Sequence, residues 1–181
     1  MATLDDIYSY FHTYDRQSFR IYSCQGDEPS EADIATFEEE VGFRLPEDFR
    51  AFTMSPLGGL YMEAREELWP RPKEGDVGPF WSFLYGLKVF GIAQGIPDWL
   101  DLREQYRAFR DEGEDGLVPF LQREGDADRL CFDRAGRIVM WHHDDPTGNR
   151  VLEQTFPEVL LHEIGGLEER LQRKQASRRQ A

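Results

Sequence analysis

His142-His143-Asp144-Asp145 is the run in this chain that gathers residue types able to hold a metal ion. Imidazole and carboxylate would suit zinc. Consecutive side chains on an extended strand point to opposite faces, so His142 and His143 do not readily share one ion. A site would need a further ligand from far away, such as His12 or His162, and the competing reading is an ordinary loop end. Cys24 and Cys131 lack metal-type spacing and sit in no nucleophile motif. They read as reduced cysteines, Cys131 as an inert thiol within an apolar hairpin. There is no G-x-S-x-G elbow, P-loop, G-x-G-x-x-G or H-E-x-x-H. With 35 acidic residues, neighbouring carboxylates single out no acid–base dyad. The residues therefore lead to no catalytic site, no metal site and no cofactor.

The acidic stretches are the remaining source of chemistry. Pro97 opens an expected helix in which Trp99, Leu102, Tyr106 and Phe109 share a face, with Asp98, Asp101 and Glu104 on its polar side. Asp111, Glu112, Glu114 and Asp115 follow it, and Glu124, Asp126 and Asp128 fill the next turn. Together these ten form a candidate surface for docking a basic protein. The plainer reading is a solvated helix face and two acidic loops. Trp69 and Trp81 flank a Pro-rich loop over residues 70–79 and are either interface anchors or core.

Net charge supports the docking idea. The chain carries 35 Asp and Glu against 21 Lys and Arg, a net of −14. The last twelve residues hold five basic and no acidic side chains, so residues 1–169 carry 16 basic and 35 acidic groups, a net of −19. Such a body repels a phosphate backbone and an anionic membrane and attracts a basic partner, fastest at low salt. No window approaches eighteen consecutive apolar residues, and the first residues show no basic start followed by an apolar run. A cytoplasmic protein without a membrane span or signal peptide is the expectation.

The elements that must position these groups follow from local patterns. Thr3 with Asp6 caps a first helix whose apolar face is Leu4, Ile7, Tyr8 and Phe11. Phe19 and Ile21 suit a short strand, and Leu60, Met62 and Ala64 alternate as an edge strand would. Phe80 to Ile92 suits central strands, Leu117 to Gln122 another, and Leu130–Phe132 with Ile138–Trp141 a hairpin around Arg134-Ala135-Gly136. Thr155 and Glu158 form a capping box for a last helix, which Gly165-Gly166 would break or bend and whose basic tail frays from Gln172. Its Leu160, Ile164, Leu167 and Leu171 have heptad-like spacing over too short a span for a coiled coil, which favours packing on the domain's own sheet.

Between them runs the most specific stretch, residues 34–59. Ser30 and Asp33 match a capping box, and Ile34, Phe37 and Val41 form one apolar stripe. Gly42 suits a left-handed helix end, Leu45-Pro46 restarts the chain, Phe49 and Phe52 make the next face, and Gly58-Gly59 stop it. This order of Ile34, Phe37-Glu38, Gly42, Leu45-Pro46, Phe49, Phe52 and Gly58-Gly59 resembles the SUKH superfamily of Smi/Knr type. Leu57 stands where that family usually has Asn. Val89-Phe90-Gly91, Leu117–Phe120, Asp128–Trp141 and Thr155-Phe156 are similar to its later elements in order. The resemblance implies an α+β fold, a mainly antiparallel sheet with helices packed around it in a single domain. It divides the chain into residues 1–29, an N-terminal helix and connecting segment, 30–164, the SUKH-like domain, and 165–181, the helix end and basic frayed tail. It also implies a binding protein without catalysis; many bacterial members look like immunity proteins that neutralise a cognate toxin, often a nuclease, and such a protein, a monomer or weak homodimer, is the expectation. A regulatory scaffold without a toxin, and a metal-dependent enzyme built on His142, His143 and Asp144, are the alternatives.

Overall fold

The computed structural model describes residues 1–73, 75 and 78–180. Seven strands form one antiparallel meander in chain order: β1 (Phe19–Tyr22), β2 (Leu60–Ala64), β3 (Gly86–Val89), β4 (Val118–Arg123), β5 (Arg129–Phe132), β6 (Ile138–Trp141) and β7 (Arg150–Leu152). Among the described residues five α-helices pack around it: α1 (Leu4–Thr13), α2 (Glu31–Val41), α3 (Glu47–Thr53), α4 (Leu102–Asp111) and α5 (Phe156–Gln180). This is the single α+β domain expected.

Alternation along the strands divides the sheet into two faces. Phe19, Leu60, Met62, Leu87, Val89, Leu121, Leu130, Phe132 and Ile138 are buried and share one face by register. Over that face α3 and α5 bring Phe49, Phe52 and Phe156 onto Phe120 and Phe132. Phe49 lies 5.0 Å from Phe132 and 5.2 Å from Phe156, and Phe120 stacks on Phe132 at 4.1 Å. Leu160, Ile164, Leu167 and Leu171 are buried in the same core, so the heptad-like line is internal. A smaller cluster of Phe109, Cys131 and Trp141 lies on the opposite face, under α4. Cys131 is fully buried, and burial raises its thiol pKa well above the usual range, which keeps it protonated and unreactive.

The capping boxes of α1 and α2 form, and at the start of α5 the Glu158 carboxylate binds back to Thr155. Asp6 accepts from the Thr3 amide at 2.7 Å, Asp33 from Ser30 at 2.8 Å and Glu158 from Thr155 at 2.9 Å. Gly42 closes α2 with φ +81°, its amide donating to the Glu38 carbonyl. The Glu38 side chain accepts from the Leu45 amide at 2.8 Å and pairs with buried Arg50 at 2.5 Å, joining both helices of the motif across their corner.

Four expectations are corrected. β2 is an interior strand, paired with β1 and β3, because β1 covers the side thought open. The segment expected as strand from Phe80 begins as a 3₁₀ turn at Phe80–Phe83, and only Gly86–Val89 joins the sheet. α4 starts at Leu102 and not at Pro97, since Asp101 occupies its N-cap with the carboxylate accepting from the Arg103 amide. Trp99 therefore precedes the helix. α5 runs on through Gly165-Gly166 to Gln180, where a frayed tail was expected. The Pro-rich loop at 70–79 falls partly outside the described residues.

Candidate functional site

The face of the sheet opposite the phenylalanine core is covered by α4 toward β4, β5 and β6. Toward β1–β3 it carries a cross-strand row set by register, Tyr22 opposite Tyr61, Tyr61 opposite Lys88, and Lys88 opposite Gln122. Trp99 stands on this row, its ring edge-on to Tyr61 at 5.3 Å and 5.7 Å from the Lys88 ammonium. Tyr22 is 46% and Trp99 44% exposed, large aromatic surfaces held on rigid elements.

Two devices fix the platform. Next to Tyr61 on the same face, Glu63 accepts from Arg20 Nε at 2.9 Å, Arg71 Nη2 at 2.9 Å and the Tyr61 hydroxyl at 3.0 Å. Arg71 in turn lies 3.9 Å from the Tyr85 ring centroid. Beside them, the strap bearing Trp99 is tied to Gly91. The Gly91 amide donates to the Leu100 carbonyl and the Leu102 amide to the Gly91 carbonyl. Gly91 itself is pressed against Gly58-Gly59, where a Cβ would lie 2.4 Å from the Gly59 nitrogen. The glycines of the two motifs thus set the height of Trp99.

Burial raises the pKa of Glu63, but Arg20, the Tyr61 hydroxyl and Arg71 outweigh it and hold the carboxyl below its usual range. A depressed folded value contributes stability above the unfolded value near 4.3, lost as pH falls through the lower folded value. Urea midpoints of the wild type should therefore fall between about pH 5 and pH 3, and Glu63→Gln should flatten that slope. An identical slope in the variant would remove Glu63 from the account.

The ten acidic residues singled out from the sequence do not form one free surface. Asp101 is 7% exposed and serves as the α4 cap, bound by Arg103. Glu104 pairs with Arg107, Asp111 with Arg110, Asp115 with Arg134, Glu124 with Lys88 and Asp126 with Arg123. Asp128 accepts from the His143 amide, and its other oxygen lies 2.7 Å from His142 Nδ1. Asp98, Glu112 and Glu114 have no ion pair among the described residues. Asp98 and Glu124 border the aromatic row, through Trp99 and Lys88 respectively. His142 and Asp128 close the end of β6, and no group of three or more His, Cys, Asp or Glu among the described residues is placed to hold a metal ion.

Tyr22, Tyr61, Lys88 and Trp99 were missed as a group. The alternation of Leu60, Met62 and Ala64 already places Tyr61 on the other face, but its neighbours depend on register across three strands. No helix of the described residues is long and apolar enough to cross a membrane. Residues 28–162 match the family model described as the SMI1 / KNR4 family (SUKH-1), which bears out the resemblance read from the residues 34–59 motif. No curated protein matches the chain.

Proposed function

We propose a binding function for this chain, which belongs to the SMI1 / KNR4 family (SUKH-1), and take its partner to be a cognate toxin. In this reading it is a cytoplasmic, non-catalytic immunity protein that occludes a basic, nuclease-like toxin by direct contact. The observation that carries the reading is the aromatic platform of Tyr22, Tyr61 and Trp99 on the open part of the sheet. Tryptophan and tyrosine bury large area at low entropic cost, and a rigid platform avoids further ordering on binding. Asp98 at its rim and the net −19 of residues 1–169 supply long-range attraction for a basic surface, with salt slowing association.

The test is affinity capture from the native cell at about 50 mM and 500 mM salt, followed by identification and co-expression of the captured protein. A basic protein retained better at low salt, and whose toxicity the chain suppresses, is the expected result. Trp99→Ala should weaken that binding about 10-fold or more with little change in melting temperature, the ring being half exposed. An acidic or uncharged partner, or binding indifferent to Trp99→Ala, would overturn the proposal.

A further inference from the structure

A second site lies away from the aromatic platform, where the last turns of α5 face the segment that follows β2. Trp69, Trp81, Arg170, Arg173, Lys174 and Ser177 line a cleft of about 480 Å³, within the range that encloses small ligands. Arg170, Arg173, Lys174 and Ser177 fall at i, i+3, i+4 and i+7, so one face of the helix gathers them.

Three features make this a site for an anion. First, none of the three cations pairs with a carboxylate among the described residues, although acidic groups dominate the chain. Second, Arg170 donates through Nε to the Leu84 carbonyl at 3.2 Å, while its Nη2 is buried with no partner among the described residues. A buried donor without an acceptor costs free energy that an incoming anion would recover. Burial, reinforced by Arg123 and Arg173, pulls the Arg170 pKa down and outweighs the opposing pull of Glu163 and Asp126. Third, the walls are indole rings. Trp69 is buried, fixed by its Nε1 donating to the Ser82 carbonyl at 3.0 Å, and has the Lys174 ammonium 5.6 Å from its centroid. Trp81 is 67% exposed, a large apolar surface in search of a planar partner.

We infer that this cleft binds a mononucleotide-class ligand, its single phosphate held by Arg170, Arg173 and Lys174 and its base stacked on the exposed ring of Trp81. Guanidinium forks match phosphate oxygens, and three cations balance a dianion better than a carboxylate. Base stacking on an aromatic wall tolerates any base. The net charge of −14 repels a polyanion, which selects a small monophosphate over a nucleic-acid strand. This site is independent of the toxin reading and survives its failure.

Calorimetric titration of the whole chain with AMP, with inorganic phosphate and with adenosine tests it. AMP should saturate at one equivalent, with phosphate and adenosine each at least about 10-fold weaker because each fills half the cleft. Lys174→Gln combined with Arg173→Ala should weaken AMP about 10-fold or more and leave adenosine unchanged. Trp81→Ala should weaken AMP and adenosine but not phosphate. All three side chains reach solvent, so circular dichroism should show these variants folded. Absence of saturable AMP binding at millimolar concentration, or AMP binding unaffected by either variant, overturns the inference. Phosphate binding as tight as AMP would overturn the role of the indole walls.

Discussion

Gly91→Ala is expected to destabilise the protein by about 3 kcal/mol or more and to weaken binding at the Trp99 platform. An alanine Cβ at this position would lie 2.4 Å from the Gly59 nitrogen and 2.6 Å from its Cα, contacts with backbone and not with a side chain that could swing away. Gly59 has little room to retreat. It holds φ +62°, and its own missing Cβ would sit 2.6 Å from Cys24 Sγ and 2.9 Å from Ile96 Cδ1. The strain must then pass to the Leu100–Leu102 strap bonded to Gly91, and through it to Trp99. Gly165→Ala is the control, since that helical glycine has nothing within 4 Å of the added carbon. It should stabilise by about 0.5–1 kcal/mol through helix propensity and chain entropy. Urea denaturation of both variants checks the pair. A Gly91→Ala protein within about 0.5 kcal/mol of wild type would mean that the glycine contact is not rigid.

That contact marks where the sequence stops being legible. The capping patterns at Thr3, Ser30 and Thr155 could be read directly, because each is an i, i+3 spacing satisfied within one helical turn. The β5–β6 hairpin was legible for the same reason, as two alternating runs around a short turn containing Gly136. Gly91 meeting Gly59 is a tertiary event between residues 32 apart, and neither glycine announces its partner. Trp99 shows the same limit from the other side. Its spacing to Leu102, Tyr106 and Phe109 fits a helix face, but the Asp101 cap starts the helix later and leaves the ring on the surface. β7 was not anticipated at all, being three residues long with two of them exposed.

The charge pattern divides along the same line. Composition gave the sign and size of the net charge, but position decided its use. Arg107 clasps Glu40 through two bonds of 2.9 Å across 67 residues, and Arg123 clasps Glu163 through two of 2.7 Å across 40. Both pairs fasten helices, α4 to α2 and α5 to β4, so these carboxylates act within the fold. The excess that remains still sets the far field, because pairing with an internal cation leaves the sum unchanged.

Glu38→Ala is expected to cost about 2–3 kcal/mol, the second large effect. Its carboxylate satisfies the Leu45 amide and pairs with Arg50, a side chain only 4% exposed. Truncation leaves the amide without its acceptor and a buried guanidinium dependent on Glu31 and Glu47, which are 66% and 74% exposed and give weaker support from solvent. Glu38→Gln keeps an acceptor for Leu45 and removes only the charge, so it should lose about 1 kcal/mol. Adding Arg50→Met to Glu38→Ala removes the orphaned charge as well, and the double variant should be less destabilised than the sum of the two single changes. Glu39→Ala, one residue along and exposed, should stay within about 0.5 kcal/mol of wild type. Urea midpoints of the set decide the matter, and equal effects at Glu38 and Glu39 would sink it. The expected asymmetry gives the Phe37-Glu38 element of the motif a physical reason, with the aromatic filling the core and the acid locking the corner through which α2 turns into α3.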